Sequence, residues 1–286
     1  MTGQIQKCEA FARLHQSASA WVIPNPWDVG SAKLLQGLGF KALATTSSGF
    51  AYTLGRADGE VSLEEKLQHC KLLASNTDIP ISADFENGYG EQLVEIVENV
   101  KRLAQTGIAG FSIEDYSRED HRLYDFSEAV ERIQAAVETI AELCLPLVLT
   151  ARAENLLRGA DDLDDTIERL QAFEKAGADV LYAPGIRSLN QLRTITESID
   201  KPFNVLASFM AGTNVTEFGE YGATRISLGG ALSLAAIEPL QRAGMEMMNN
   251  GTFDWLGGRA DGASVKQFSE GSGSVAQWEG NGNGVG

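Results

Sequence analysis

Short apolar runs alternate with amphipathic runs along most of the chain. Apolar residues cluster over Trp21–Pro24, Ala42–Thr46, Ile79–Asp84, Gly110–Glu114, Leu147–Ala151, Val180–Ala183, Phe203–Ala207 and Thr224–Leu228, and each of these eight runs predicts a strand. Between them the apolar period lengthens to that of a helix over Ser62–Ser75, Leu93–Gln105, Glu128–Glu142, Leu163–Ala176, Leu189–Ser198 and Ala231–Met248. Gly39, Gly107, Gly177 and Gly222 stand where a helix must stop and the chain turn toward a strand. Repeated βα units predict a parallel sheet. Eight units of about 30 residues each predict a closed (β/α)8 TIM-type barrel over residues 1–248 rather than an open doubly wound sheet. From Asn249 the period is lost. Residues 249–286 form a Gly/Ser/Asn-rich tail with isolated aromatics at Phe253, Trp255 and Trp278, predicted to be partly disordered.

In such a barrel, reactive groups project from the C-terminal strand ends. The third strand ends in Asp84-Phe85-Glu86 before Asn87-Gly88-Tyr89-Gly90, and the fourth ends in Glu114-Asp115. Residues two apart on a strand share a face, so Asp84 and Glu86 are expected side by side. Clustered carboxylates are costly to bury without compensation, and a divalent cation is the simplest compensation. A donor set rich in carboxylate oxygen, without Cys and with little His, favours Mg²⁺ or Mn²⁺ over Zn²⁺. Arg152, Glu154 and Asn155 follow the fifth strand, with Arg152 expected to face the acids; Tyr182, Asn204 and Ser227 mark the later ends. Ser47-Ser48-Gly49-Phe50 reads as a small-residue turn whose amides can cradle a carboxylate or phosphate. Plainer roles are assigned to Asp28 as a helix N-cap, to Glu64 and Glu65 as first-turn acids, and to Asp161, Asp162, Asp164 and Asp165 as an acidic helix start. His15 and His69 fall in helical patterns and read as surface residues. His121 belongs to a polar segment, Tyr116–Phe126, expected to cover the site.

Charge narrows the partners. The chain carries 39 acidic and 23 basic side chains, a net −16, which argues against nucleic acid and anionic membrane. An anionic substrate stays compatible, because a bound cation and a few arginines can reverse the field inside a cleft. Cys8, Cys70 and Cys144 are scattered, with no CxxC pair, and fit a reducing cytoplasm. The first ten residues lack a signal-peptide core, no apolar run is long enough to cross a bilayer, and no nucleophile elbow, Walker loop or dinucleotide fingerprint is present.

Together, Ser47-Ser48-Gly49-Phe50, Gly55-Arg56-Ala57-Asp58, Asp84-Phe85-Glu86-Asn87-Gly88-Tyr89-Gly90, Ser112-Ile113-Glu114-Asp115, Thr150-Ala151-Arg152-Ala153-Glu154, Asn204-Val205 and Arg225-Ile226-Ser227-Leu228-Gly229-Gly230 carry a resemblance. From Pro24 to Leu240 the chain resembles the isocitrate lyase/phosphoenolpyruvate mutase superfamily. The resemblance implies a (β/α)8 barrel whose last helix is swapped onto a neighbour, in a homodimer or homotetramer, acting on a small 2-oxo or 2-hydroxy carboxylate with Mg²⁺. It implies that Asp84 binds the metal directly and that Asp58, Glu86 and Glu114 hold its water ligands. Amides of Ser48, Gly49 and Phe50, with Asn204, would grip the substrate, and Arg152 would face the oxygen that becomes charged as an enolate forms. Arg152, Glu114 and Asp58 are the implied catalytic groups.

The segment Tyr116–Asp125 departs from the superfamily's Lys-Lys/Arg-Cys-Gly-His loop: it has no Cys, Lys or Gly. Authentic isocitrate or methylisocitrate lyase activity is therefore not expected. The leading expectation is a Mg²⁺-dependent lyase or decarboxylase that cleaves a C–C bond through an enolate. One alternative is a mutase or phosphonopyruvate hydrolase acting on a C–P bond, with Arg118, Arg122 and Arg158 receiving the phosphonate. The other is a non-catalytic 2-oxo-acid binder.

Overall fold

Each apolar run forms a strand where the period predicts one. In the computed structural model, which describes residues 3–269, the barrel strands are β1 (Trp21–Ile23), β2 (Leu43–Ala44), β3 (Ile81–Asp84), β4 (Gly110–Glu114), β7 (Val148–Arg152), β8 (Val180–Tyr182), β9 (Phe203–Leu206) and β10 (Arg225–Ser227). A small antiparallel hairpin, β5 (Tyr116–Ser117) and β6 (Arg122–Leu123), stands on the loop after β4. The eight barrel strands are parallel and run β1-β10-β9-β8-β7-β4-β3-β2 around the sheet. Register places Asp84 beside Ser112, Glu114 beside Arg152, and Arg152 beside Tyr182. The two edge strands meet, which excludes the open sheet. Ala44 N–H donates to the Pro24 carbonyl at 3.1 Å across the seam, and the Asn25 amide reaches Ala44 O at 3.1 Å and accepts from Leu228 N at 2.8 Å.

The helices are α1 (Gln4–Leu14), α2 (Val29–Gly37), α3 (Ser47–Thr53), α4 (Leu63–Asn76), α5 (Leu93–Ala104), α6 (Phe126–Leu143), α7 (Leu163–Ala176), α8 (Leu189–Thr196), α9 (Val215–Glu220), α10 (Ala231–Asn250) and α11 (Gly262–Ser269). Asp28 caps α2 through Ser31 N, Asp162 caps α7 through Asp165 N, and Ser62 and Glu65 form a capping box on α4. Five helices, α1, α2, α3, α9 and α11, lie outside the six helical runs of the sequence pattern. They are short or weakly amphipathic, and tertiary contacts hold them.

The first of these closes the N-terminal end of the barrel. Phe11 is buried against Gly110, where an added Cβ would lie 2.8 Å from the Phe11 ring and 2.6 Å from Val148 O. Lys7 Nζ donates to the carbonyls of Ala74 at 2.9 Å and Thr77 at 2.6 Å, tying α1 to the end of α4. The opposite end stays open, so the C-terminal strand ends are the accessible ones. Within the segment assigned to the tail, α11 packs on α2 through the buried Phe268 ring, which lies against Gly37. Trp278 and the rest of the predicted disorder lie outside the described residues.

Candidate active site

Inward-facing strand positions line a cavity of about 210 Å³ at the open end. Ser82 and Asp84 come from β3, Ser112 from β4, Arg152 from β7, Tyr182 from β8, Asn204 from β9, and Arg225 and Ser227 from β10; Asp58, Arg118 and Arg158 enter from loops. The volume lies below the range of about 300–1,000 Å³ common for drug-sized ligands, and suits a metabolite of a few carbons. Four arginines and two aspartates line it, and Glu86, Glu114 and Glu154 pair with those arginines just behind the wall, so the site is a network of opposed charges in an acidic chain. Its guanidinium groups give an anionic substrate donors that the overall charge does not offer.

Arg152 organises the acids. Its Nη1 donates to Asp84 Oδ1 at 2.7 Å, while Nε and Nη2 donate to Glu154 Oε1 at 3.1 and 2.7 Å. The other Asp84 oxygen accepts from Ser47 N at 3.0 Å. Burial raises the Asp84 carboxyl pKa, but Arg152, Lys66, the Ser47 amide and Arg118 together outweigh it and hold the group at about 2. Glu114, 0% exposed, lies 3.1 Å from Arg152 Nη2, 3.4 Å from Arg118 Nε and 3.6 Å from Arg158 Nη2. These are close ion pairs, yet neither Glu114 oxygen receives an aligned hydrogen bond. Burial, with the Glu154 charge, pushes the Glu114 carboxyl upward against the pull of Arg152 and Arg118.

The structure changes several expectations. Strand β3 stops at Asp84, and Glu86 takes a left-handed φ of 47°. The two acids are therefore not strand neighbours on one face: Glu86 turns aside to accept from Tyr89 Oη at 2.9 Å and to pair with Arg118 at 2.8 Å. Glu114 and Asp115 also diverge. Asp115 leaves the cavity, accepts from Glu154 N at 2.7 Å and pairs with Arg169 at 2.9 Å. Guanidinium groups here balance the carboxylates that seemed to demand a metal, and among the described residues no His/Cys/Asp/Glu group converges into a ready-made ligand set. Ser47-Ser48-Gly49-Phe50 is not a turn but the first turn of α3. Gly49 N donates to the Thr46 cap at 3.2 Å and Phe50 N to Thr46 O at 3.2 Å. Asn204 sits in the cavity, with its Nδ2 on Ser227 at 2.9 Å. Asn155 lies outside it, bonded to Thr166 at 2.6 Å. Arg122 also lies outside, pairing with Asp120 and Glu128 on the surface.

His15 and His69 are buried, not superficial. His15 donates Nδ1–H to Phe11 O at 2.9 Å and accepts from Arg225 at 3.1 Å; His69 stacks on Phe50 with ring centroids 3.8 Å apart. Lys66 went unnoticed in the sequence. It is fully buried and donates to Thr45 Oγ1 at 3.0 Å, the same oxygen that receives Asp84 N at 2.9 Å. Its signal was present: Lys66 interrupts the apolar stripe Leu63, Leu67, Cys70, Leu73 of α4.

A family model described as phosphoenolpyruvate phosphomutase matches residues 11–248. The chain belongs to the isocitrate lyase/phosphoenolpyruvate mutase superfamily. A crystal structure of a Burkholderia cenocepacia J2315 protein, provisionally named a lyase/mutase, is 42% identical with a TM-score of 0.90, covering 93% of this chain and 96% of that one. The 2-methylisocitrate lyase of Escherichia coli K12 is 32% identical over 197 residues, 66% of this chain and 62% of its own length. An oxaloacetate decarboxylase of Pseudomonas entomophila is 28% identical over 201 residues, 68% of each chain. Membership in this superfamily of lyases and mutases fits the barrel and the position of the cavity at its C-terminal end. The residues also suit a superfamily cation. The donors are all hard oxygens, Asp84 reaches the cavity, and the buried Glu114 oxygens are short of aligned donors.

Proposed function

We propose that the protein is a Mg²⁺-dependent lyase or decarboxylase that cleaves a C–C bond of a small 2-oxo or 2-hydroxy (di)carboxylic acid through an enolate. The observation that carries this reading is the guanidinium of Arg152, held 2.7 Å from Asp84 at the wall of a small, arginine-lined cavity. Asp84 would hold the cation directly, and Asp58, Glu86 and Glu114 would hold it through water. When bound, the cation supplies positive charge where the substrate oxygen becomes anionic. Arg152, fixed on two carboxylates, is preorganised to stabilise the same charge without reorienting. The Ser48 amide and Asn204 bind the substrate carboxylate, and Gly49 and Phe50 contribute by shaping the first turn of α3. In a decarboxylation the carboxylate leaves as CO₂, the bonding pair passes to the enolate, and a solvent proton completes the product. Mn²⁺ would serve by the same donor chemistry.

The oxaloacetate decarboxylase and 2-methylisocitrate lyase relatives support C–C cleavage. Incubation with Mg²⁺ and a panel of 2-oxo acids and malate derivatives, followed by ¹H NMR, tests it. Consumption that stops on adding EDTA is expected, and undiminished turnover in EDTA removes the metal from the proposal. A phosphonate-directed reading is favoured by one observation: Arg118 and Arg158 both line the cavity. Phosphonopyruvate followed by ³¹P NMR separates the two, since an unchanged signal eliminates C–P chemistry.

The apolar face of α10, with Leu240 72% and Met248 85% exposed, supports a homodimer or homotetramer in which this helix covers a neighbour.

A further inference from the structure

One side chain of the loop between β5 and β6 is drawn inward to the cavity. Arg118 Nε lies 2.8 Å from Glu86 and 3.4 Å from Glu114, and its Nη1 lies 3.3 Å from Asp58. These are the same three carboxylates assigned above to the water ligands of the cation. A seat for the guanidinium is built into the loop between α3 and α4: Gly59 has φ +88°, and a Cβ there would stand 2.7 Å from Arg118 Nη1. The seat is imperfect. Arg118 Nε and both oxygens of the fully buried Glu114 lack aligned hydrogen-bond partners. Arg152 already offsets part of this acid cluster, so a divalent cation that joins it meets added repulsion from a second guanidinium seated on the remaining carboxylates.

We propose that Arg118 is a built-in counter-cation that competes with the divalent metal for Asp58, Glu86 and Glu114, so that metal entry expels Arg118 and frees the tip of the β5–β6 hairpin. This rests on the metal-dependent reading of the preceding subsection. The base of the hairpin stays fixed independently. Tyr124 is buried, donates to Glu91 at 2.7 Å, accepts from Asn87 at 2.9 Å and lies under the Arg132 guanidinium at 3.9 Å. Ser117 Oγ on Glu91 at 3.1 Å, Tyr116 under the Arg158 guanidinium at 3.8 Å and Arg122 beside Glu128 hold the strands as well, so the part latched through Arg118 is the tip, residues 118–121. The metal's apparent affinity is then its intrinsic affinity multiplied by the fraction of molecules with Arg118 unseated.

Two measurements with Mn²⁺ as the probe test this. Free Mn²⁺ counted by electron paramagnetic resonance gives its dissociation constant for the wild type and for Arg118→Gln, which keeps part of the stem and removes the charge. Binding by Arg118→Gln that is tighter by about tenfold or more supports competition. Equal or weaker binding overturns it and leaves the metal site standing, whereas no binding by either protein overturns both readings. Hydrogen exchange on the wild type needs no variant. Saturating Mn²⁺ should speed exchange at residues 118–121, and unchanged or slower exchange there overturns the proposal even if Arg118→Gln fails to fold.

Discussion

Two buried arginines, Arg225 at the floor of the cavity and Arg152 at its mouth, are held in opposite ways. Among the described residues Arg225 has no carboxylate partner. Its guanidinium donates to Asn204 Oδ1 at 2.8 Å, His15 Nε2 at 3.1 Å and Thr150 Oγ1 at 3.0 Å. Every contact is to a neutral acceptor, and burial lowers its pKa to about 10. Arg152 instead stands among Asp84, Glu114 and Glu154, and the charge cluster around it leaves buried oxygens of Glu114 and Glu154 without aligned donors. The floor is saturated and specific, as a structural network should be. The mouth is charged and incompletely satisfied, which suits groups that must exchange partners when a ligand arrives.

The contrast is broken most sharply at Asp84. Asp84→Ala should lower metal-dependent turnover by about a thousandfold or more, roughly 4 kcal/mol of transition-state stabilisation, while circular dichroism shows a folded barrel. Arg225→Met should do the reverse. Losing donors to Asn204, His15 and Thr150 should cost about 3 kcal/mol in urea unfolding, and a larger effect on kcat than on stability would dissolve the distinction. Arg152→Lys keeps a charge but loses the fork, so kcat should fall about a hundredfold with little change in unfolding free energy.

The smallest effect is a pH dependence of the two buried histidines, His15 at the floor and His69 beside Phe50. Burial first, then the Arg225 charge, depress His15 to about 3, and burial with Lys66 does the same for His69. Both stay neutral in the folded state, whereas the unfolded chain takes up protons near pH 6.5. Their contribution to stability is therefore present above that value and is lost as pH falls toward 3. At pH 5 the loss should be about 2 kcal/mol per histidine, and His15→Gln should flatten its share of the slope in chemical denaturation.

The barrel was legible because each buried parallel strand needs an apolar run and each helix an apolar stripe, and both survive in a single sequence. The acids at strand ends were legible by position. Their partners were less so. Arg118 sits in a polar segment that resembles any solvated loop, and only the fold brings it against Asp58, more than fifty residues earlier in the chain. Helix α3 was read as a turn because Ser-Ser-Gly is a poor helix former. The Thr46 cap and the Asp84 carboxylate on Ser47 N hold it in place. His15 and His69 looked superficial because periodicity assigns a face to a side chain, not a partner.

The bond between His15 and Arg225 joins residues 210 apart in the chain. During synthesis His15 emerges early and then waits, for about 10–40 s at ordinary ribosomal rates, until its partner on the last strand is made. Lys7 with Ala74 and Thr77, and Phe11 with Gly110, can dock α1 well before β10 is made, so only the His15–Arg225 bond waits for the last strand. Until then His15 lacks its donor. A fusion partner that slows the end of translation should burden the folding of this protein more than one placed ahead of α1.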